Sequence, residues 1–364
     1  MANSDEIELE VDGKLYKGWK SVTLTRSLEA LCGSFRLEIT DPLDLQGKRS
    51  KFPVAEGAAC RIRLGSDLYL SGFVDALEAS IGRDEHSVTV EGRDKAQDLV
   101  DCSPVDLPLE FFDVSIFELA VELATPFGLG VVLQDGADEG DPFERFSLQV
   151  GETAHEALER ACRLRGFLAT SNPVGSIVLT RAGSERAFGE IVQGGPLLLS
   201  ASLRLDVSQR FARYVARGQA PGSDLKNGAE AAEAIAEALD PFPRKARTFS
   251  LVVEGNVDDE QAKLRVDWEA NVRAARGQAL SVRLRGWREI DGGPLWAPNR
   301  IVSVSIPSLR VSGEWLVATV VLSRTLSAGT TAELGLVRAD AYLPEPPRPE
   351  FDVDFGEDLE EGGS

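Results

Sequence analysis

The sequence has few of the residues on which metal and nucleophilic catalysis depend. His86 and His155 are the two histidines among 364 residues, and neither has a cysteine or a second histidine at metal-ligand spacing. HExxH, GxSxG, P-loop and complete GxGxxG motifs are missing, and Gly128-Leu129-Gly130 is better interpreted as a helix stop. We therefore predict no catalytic residues, no cofactor and no metal site, with both histidines on the surface or half-buried.

The four cysteines lie far apart in the sequence, and no CxxC pair occurs. This spacing argues against a zinc ribbon and against a thioredoxin-like redox site. We expect isolated, buried thiols, since free cysteine behaves as a small apolar side chain. The cysteines are Cys32, Cys60, Cys102 and Cys162.

Cationic residues and long apolar runs are also scarce. Lys and Arg total 39 against 59 Asp and Glu, which gives a formal net charge of -20. Proteins that bind nucleic acid or anionic lipid need clustered cations, so both classes are disfavoured. No stretch approaches the roughly 18 apolar residues of a membrane span, and the start MANSDEIELEVDG lacks the basic and apolar regions of a signal peptide. We expect a chain made and kept in a cytoplasm, without direct membrane anchoring.

Short alternating runs predict an N-terminal β-barrel over residues 1–103. Each run places apolar side chains on one face at a period of two, as half-buried antiparallel strands require. The runs are Val22–Thr25, Phe35–Ile39, Arg61–Leu64 and Val88–Glu91, with a hairpin turn at Gly65-Ser66-Asp67. Strands bounded by Gly, Asp and Ser in this way favour a small barrel or sandwich.

The period then changes and predicts a smaller α/β domain over residues 104–190. Val114–Thr125 has helical spacing. A second helix starts after Thr153, which forms a capping box with Glu156, and ends at Gly166. Extended runs follow at Val131–Leu133, Phe167–Ala169 and Ile177–Thr180.

Strand-like runs return and predict a second β-barrel domain over residues 191–343. They are Leu203–Leu205, Tyr214–Ala216, Leu280–Leu284, Ile301–Ile306, Trp315–Val321 and Ala332–Val337. A helix is predicted at residues 258–276, because acidic residues start it and Arg273 and Arg276 suit the negative end of its dipole. Its apolar stripe is predicted at Leu264, Trp268, Val272 and Ala275.

Two segments of this last region have a biased composition. An Ala/Glu-rich excursion at residues 222–239 is either a short helix or a surface segment. Residues 344–364 are Pro-rich and then acidic, which predicts a solvated, disordered tail. The predicted fold class is α+β, mainly β, with two related antiparallel β-barrel domains and a smaller α/β domain.

A weak internal repeat supports the two related barrels. Val22–Asp41 resembles Val320–Asp340, and Leu68–Ser80 resembles Leu309–Ser323. The order of the two units differs, which suggests barrels with permuted strands, although β-hairpins also resemble one another by chance.

Carboxylates and tryptophans leave weaker alternatives. Pairs such as Asp258-Asp259 and Glu360-Glu361 are more typical of a helix start and a solvated tail than of a glycosidase. Five tryptophans could form a sugar-binding platform or could anchor a core. They are Trp19, Trp268, Trp287, Trp296 and Trp315.

An ordered series of segments resembles the baseplate hub proteins of Mu-type contractile-tailed phages. The early segments are SGFVDALEAS, VTVEGRDKAQDLVDCS, FSLQVGETAHEALERACRLRGFLA and IVLTRAG. The later segments are WEANVRAARG, VRLRGWRE, LWAPN, GEWLVATVVLSRT and TAELGLVRADAY. The resemblance spans nearly the whole chain, except for residues 222–239 and the tail after Pro344.

The resemblance implies a structural protein rather than an enzyme. It implies a homotrimer whose two barrels per chain make a pseudo-sixfold ring between the sixfold tail tube and the threefold central spike. The implied partners are the spike protein, the tube or distal tube ring protein and other baseplate proteins. DNA would pass through the lumen on infection without specific binding. The implied location is the tail baseplate of a virion assembled in the host bacterial cytoplasm.

Three alternatives remain open. The chain could be the hub of a tailocin or of another contractile injection system, which differs in biology and hardly in physics. It could be a tail-associated enzyme that degrades peptidoglycan. It could also be a carbohydrate-binding adhesin that uses exposed tryptophans.

Overall fold

A computed structural model describes residues 6–40, 54–81, 86–183, 185–219, 233–256 and 259–343. Strands predominate in these ranges and a few helices accompany them, which confirms the predicted α+β, mainly β class. The chain divides into two compact units. The first contains Met1–Arg181 and Thr319–Glu333, and the second contains Ala182–Ala318 and Leu334–Ser364. The predicted disordered tail lies outside the described residues.

The first unit contains twelve whole strands and three α-helices in its described part, together with parts of two later strands. The strands are β1 (Ile7–Val11), β2 (Lys14–Tyr16), β3 (Ser21–Ser27), β4 (Ser34–Thr40), β5 (Ala59–Leu64), β6 (Asp67–Ile81), β7 (His86–Asp94), β8 (Glu110–Val114), β9 (Val131–Leu133), β10 (Phe143–Ser147), β11 (Leu168–Ser171) and β12 (Ile177–Thr180). The helices are α1 (Gln97–Asp101), α2 (Ile116–Ala124) and α3 (Ala154–Arg165).

The second unit contains most of the remaining elements. They are β13 (Glu185–Val192), β14 (Leu198–Leu205), β15 (Arg213–Gln219), β16 (Glu233–Leu239), β17 (Thr248–Asn256), α4 (Asp259–Arg276), β18 (Gln278–Arg285) and β19 (Arg300–Ile306). The last two strands, β20 (Val311–Thr325) and β21 (Gly329–Arg338), contribute residues to both units.

The strands of the main sheet in the first unit follow the order β3-β4-β7-β6-β5-β1-β2, and the part of β20 from Thr319 onward pairs with β3. Its core comes from the predicted alternation, since the apolar residues of each strand point to one face. Strands β6 and β7 approach closely at Gly72, where a Cβ atom would lie 1.9 Å from the carbonyl oxygen of Arg93. Only glycine fits this crossing. Fully buried core residues include Leu9, Leu24, Leu37, Ile62 and Val90.

The helices of the first unit confirm the predictions from capping. Thr153 Oγ1 accepts a hydrogen bond from the Glu156 N–H at 3.2 Å, and the Glu156 carboxylate accepts one from the Thr153 N–H at 2.8 Å. Gly166 ends α3 in the left-handed conformation at φ 64°. Helix α2 begins with a capping box of its own at Ser115 and Glu118. The predicted extended runs are the short strands β9, β11 and β12, and the structure shows that these strands form one small sheet.

The main sheet of the second unit has the order β14-β18-β21-β20-β19-β13. Strand β13 is parallel to β19, with a bulge between Arg186 and Glu190. Strand β14 pairs with β18, and β19 pairs with β20, in antiparallel fashion. Trp287, Trp296 and Trp315 are among the largest fully buried side chains of the second unit.

A separate three-stranded sheet, β16-β15-β17, corrects one prediction. Of the Ala/Glu-rich residues 222–239, the described part from Glu233 onward is a strand and not a helix. It pairs with β15 over its whole length, which overrides its helical propensity. Strand β16 has small buried side chains, which allow α4 to pack closely against the strand. They are Ala234, Ala236 and Ala238.

Helix α4 confirms the predicted helix and corrects its apolar stripe. Trp268, Val272 and Ala275 are buried as predicted, whereas Leu264 is exposed. The buried face is built instead around Ala262, Val266 and Ala270, which lie at spacings of four residues. Asp258 lies outside the described residues.

The strand order also corrects the interpretation of the repeat. Along the chain, β3, β4, β5, β6 and β7 correspond to β14, β18, β19, β20 and β21. In space, the order β3-β4-β7-β6-β5 matches β14-β18-β21-β20-β19. No permutation is needed. The similarity of Leu68–Ser80 to Leu309–Ser323 aligns the corresponding strands β6 and β20. The similarity of Val22–Asp41 to Val320–Asp340 joins strands that do not correspond.

Candidate assembly interface

The candidate ligand-binding side chains that the structure describes lie apart from one another or in the core. Among the described residues, no group of three or more His, Cys, Asp or Glu could hold a metal ion. His155 is half-buried on α3, and burial lowers its pKa. The predicted helix stop at Gly128 is confirmed by a left-handed φ of 66°. Within the part that the structure describes, no helix is long and apolar enough to span a bilayer.

All five tryptophans are core residues. Trp296 is 1% exposed, and none of the five is more than 8% exposed. A sugar ring needs an open aromatic face for stacking, so the interpretation of these residues as a sugar platform is wrong. Their bulk supports the two main sheets and α4.

The cysteines are isolated, as predicted, but not all are buried. The four residues form no disulfide, and Cys60 and Cys162 are buried. Cys32 is half-buried and Cys102 is exposed. Burial raises the pKa of the Cys32 thiol to about 11 and that of Cys60 to about 12, which keeps both as unreactive thiols at neutral pH.

A cleft of about 270 Å³ opens on the first unit beside the start of β1. It is lined by Glu6, Ile7, Gly18, Trp19 and Arg324. Glu6, Trp19 and Arg324 contribute an acidic, an aromatic and a basic residue to this lining. Lys17 Nζ lies 3.1 Å from the carboxylate of Glu6, so that acidic group is already paired.

Asp94 is a buried carboxylate that joins three segments of the first unit. Its Oδ2 accepts hydrogen bonds from the Gly33 N–H at 2.6 Å and from the Ser171 hydroxyl at 2.5 Å. Its Oδ1 accepts one from the Ala96 N–H at 2.9 Å. Burial raises the pKa of Asp94, and these hydrogen bonds oppose the shift. The site holds the turn after β3, the start of α1 and strand β11 together. Nothing in the sequence distinguishes Asp94 from the other acidic residues.

The surfaces best suited to assembly are two open strand edges. Strand β14 ends the strand order of its sheet, and Leu199 and Leu205 on it are exposed. Strand β6 pairs with β5 only up to Phe73, so no described strand pairs with that side of Glu78–Ile81. Ile81 at its end is 65% exposed. Unpaired strand edges are templates for pairing with another chain.

Comparisons with known proteins agree with the sequence resemblance over most of the chain. The model of the N-terminal domain of the Mu phage baseplate assembly protein GpP-like family matches residues 6–94. The second-domain model of the baseplate hub protein gp44-like family matches residues 96–181. The fourth-domain model of the Mu GpP family matches residues 258–345.

One phage protein is similar to this chain along almost its full length. The baseplate hub protein gp44 of Escherichia phage Mu is 30% identical over 352 residues, which cover 93% of this chain and 89% of the relative. The match therefore extends through both units.

Solved structures have the same fold. The 43 kDa tail protein of prophage MuSo2 from Shewanella oneidensis has a TM-score of 0.80 and 32% identity, covering 94% of this chain and all of that one. A tail protein from Neisseria meningitidis MC58 has a TM-score of 0.79 at 19% identity, covering 94% and 99% of the two chains. A type VI secretion system component from E. coli shares the fold with a TM-score of 0.56 at 11% identity, covering 94% and 79%. The chain belongs to the Mu gp44 family of baseplate hub proteins, and it is a structural component of a phage tail baseplate.

Proposed function

We propose that this hub protein is a homotrimer whose two main sheets per chain form a pseudo-sixfold ring. The observation that carries the proposal is the duplicated strand order, β3-β4-β7-β6-β5 and β14-β18-β21-β20-β19. Three chains with two such sheets each place six similar units around one axis. Such a ring can face a sixfold object on one side and a threefold object on the other.

The proposed ring joins the sixfold tail tube to the threefold central spike. Its partners are the spike protein, the tube or distal tube ring protein and other baseplate proteins. A formal charge of -20 suits a passage that DNA crosses without specific binding, because like charges repel. The ring closes the tube until infection and then lets the genome pass.

The proposed location is the tail baseplate of a virion that is assembled in the host bacterial cytoplasm. The hub of a tailocin or another contractile injection system is the closest alternative, and it has the same mechanical role. Neighbouring genes separate the two possibilities. Capsid and terminase genes beside this one favour a phage, whereas their absence favours an injection device.

The proposed role is mechanical and not enzymatic. It is supported by the names of the relatives, which are structural tail and hub proteins. Incubation of the purified chain with cell-wall sacculi tests this point. No soluble muropeptides are expected, and their release would contradict a purely structural role.

The trimer is tested by the mass of the full chain in sedimentation equilibrium at low and moderate salt. Both salt concentrations are needed because repulsion between chains of charge -20 is screened only by salt. Three chains of 39.3 kDa give about 118 kDa. A stable dimer or monomer at both salt concentrations would contradict the homotrimer.

A further inference from the structure

The corresponding strands β6 and β20 have the same length, and their hairpin partners, β5 and β19, also correspond. Each has 15 residues, and each contains a Ser-Gly pair, Ser71-Gly72 and Ser312-Gly313. Gly72 lies opposite Cys60 of β5, and Gly313 lies opposite Val304 of β19. Alignment on these two glycines therefore also aligns the hairpins.

The strands differ in what lies beyond that hairpin partner. On β20, β19 reaches Leu316, and then β3 pairs in antiparallel fashion with Thr319–Thr325. On β6, β5 reaches Phe73, and the described chain supplies no strand for the residues that correspond to Thr319–Leu322. These residues are Glu78–Ile81.

Side-chain exposure follows this difference. Leu322 is completely buried, whereas the corresponding Ile81 is 65% exposed. Val320 is buried, whereas the corresponding Ala79 is exposed. An apolar position that is covered in one copy of a repeat and open in the other indicates a partner that the described part of the chain does not supply.

The strand that covers β20 has a counterpart that is also open. Strand β3 corresponds to β14 by both chain order and sheet order. On β3, Val22 and Leu24 are buried. On β14, Leu199 and Leu205 are exposed, and the outer edge of the strand has no described neighbour. One chain therefore contains one complete β3-β20 pair and both halves of a second pair.

We propose that Glu78–Ile81 of β6 pairs with the outer edge of β14 from a second copy of this chain. The new pair repeats, between copies, the β3-β20 pairing made within the chain. This inference rests on the proposed trimer, in which three copies close three such contacts in a head-to-tail ring. Backbone N–H and C=O groups at both edges gain hydrogen bonds, and Ile81 and Leu205 lose their exposure to water.

The pairing is tested by crosslinking with cysteines placed on the two edges. Ser80→Cys and Ser202→Cys are combined in a Cys102→Ser background, because Cys102 is the exposed natural thiol. A bis-maleimide spanning roughly 13 Å tolerates a register shift of about three residues, since one strand residue advances about 3.3 Å. We expect a covalent trimer on a denaturing gel.

The matched control pairs Ser80→Cys with Ser250→Cys. Ser250 is exposed on β17, in the separate three-stranded sheet. This variant and both single-cysteine variants should give no covalent trimer. Equal crosslinking through Ser250 would contradict the proposed edge.

A charge placed on the edge gives an independent readout. Ile81→Glu should raise the concentration at which half of the trimer dissociates by tenfold or more. Leu15→Glu, at a similarly exposed leucine on β2, should change it less than twofold. Both variants should unfold as monomers at the temperature of the parent chain, because both side chains are exposed.

The outcomes separate this inference from the proposed trimer. A mass of three chains with crosslinking between Ser80→Cys and Ser202→Cys supports both. A mass of three chains without that crosslink, and with Ile81→Glu still trimeric, overturns the strand pairing and leaves the trimer standing. A mass of one chain at the highest protein concentration that shows no aggregation overturns both the strand pairing and the trimer.

Discussion

Leu24 on β3 lies directly opposite Leu322 on β20, and both side chains are completely buried. The two residues are almost 300 positions apart in the chain, so this contact brings the first and last parts of the sequence into one sheet. The position that corresponds to Leu322 on β6 is Ile81, which has no such partner among the residues that the structure describes. Leu322 and Ile81 therefore allow a direct comparison of a paired and an unpaired strand edge.

Leu322→Ala should lower the free energy of unfolding by about 2 to 5 kcal/mol, since it leaves a cavity between β3 and β20. Ile81→Ala should change the stability of the monomer little, because that side chain is mostly exposed. Urea unfolding of both variants measures the difference. Equal losses would show that Ile81 is already packed within its own chain.

Asp94→Asn should destabilise the first unit by about 1 to 3 kcal/mol, because an amide nitrogen cannot accept the hydrogen bonds that one of the two Asp94 oxygens receives. Burial raises the pKa of Asp94 in the folded chain. Its stabilising contribution is therefore complete below about pH 4, the unfolded pKa, and declines as the pH rises through the folded-state value.

The difference in unfolding free energy between the parent chain and Asp94→Asn should accordingly shrink from low to neutral pH. Ser171→Ala removes one hydrogen bond and serves as the control, with an expected loss of about 1 kcal/mol. A difference that grows with pH would contradict the raised pKa.

Arg210 and Asp240 form a buried bidentate ion pair, with both N–O distances at 2.8 Å. The guanidinium also lies 4.8 Å from the centre of the Phe242 ring. Asp240→Ala should destabilise the second unit by about 3 to 5 kcal/mol, because it leaves a buried charge without its carboxylate partner. Arg210→Met combined with Asp240→Leu should recover most of this loss, as measured by thermal unfolding.

The exposed pair of Arg213 and Glu237 provides the matched comparison. Arg213→Met should change the unfolding temperature little, since water solvates both charges of that pair. A loss as large as that of Asp240→Ala would contradict the assignment of the strong contribution to burial.

Native labelling with a maleimide at pH 7 should modify Cys102 alone. Cys32 and Cys60 have pKa values raised to about 11 and about 12, and Cys162 is fully enclosed. Mass spectrometry should find one label on the folded chain and four after denaturation. Rapid native labelling of Cys60 or Cys162 would indicate that the surrounding strands open.

The features that depend on local chemistry could be predicted from the sequence. Helix α3 was identified by its capping box at Thr153 and its end at Gly166, because both signals act within one turn. The alternating strands were likewise recognisable. Glu233–Leu239 was not recognisable as a strand, because its Ala/Glu composition favours a helix and only pairing with β15 decides otherwise.

Other features depend on contacts between residues that are distant in the sequence. Asp94 joins separate segments because the fold brings Gly33 and Ser171 within hydrogen-bonding distance of it. The open edges of β6 and β14 could not be recognised before the strand order was known, although the shared Ser-Gly pairs of β6 and β20 were already a signal. Similar local hairpins misled the comparison of Val22–Asp41 with Val320–Asp340.

Averaged electron micrographs of the purified full chain, viewed along the proposed ring axis, show directly whether a trimer presents six similar units. We expect a closed ring with six similar densities around a central channel and threefold symmetry in detail. A ring of another order, or an open assembly without a channel, would contradict it.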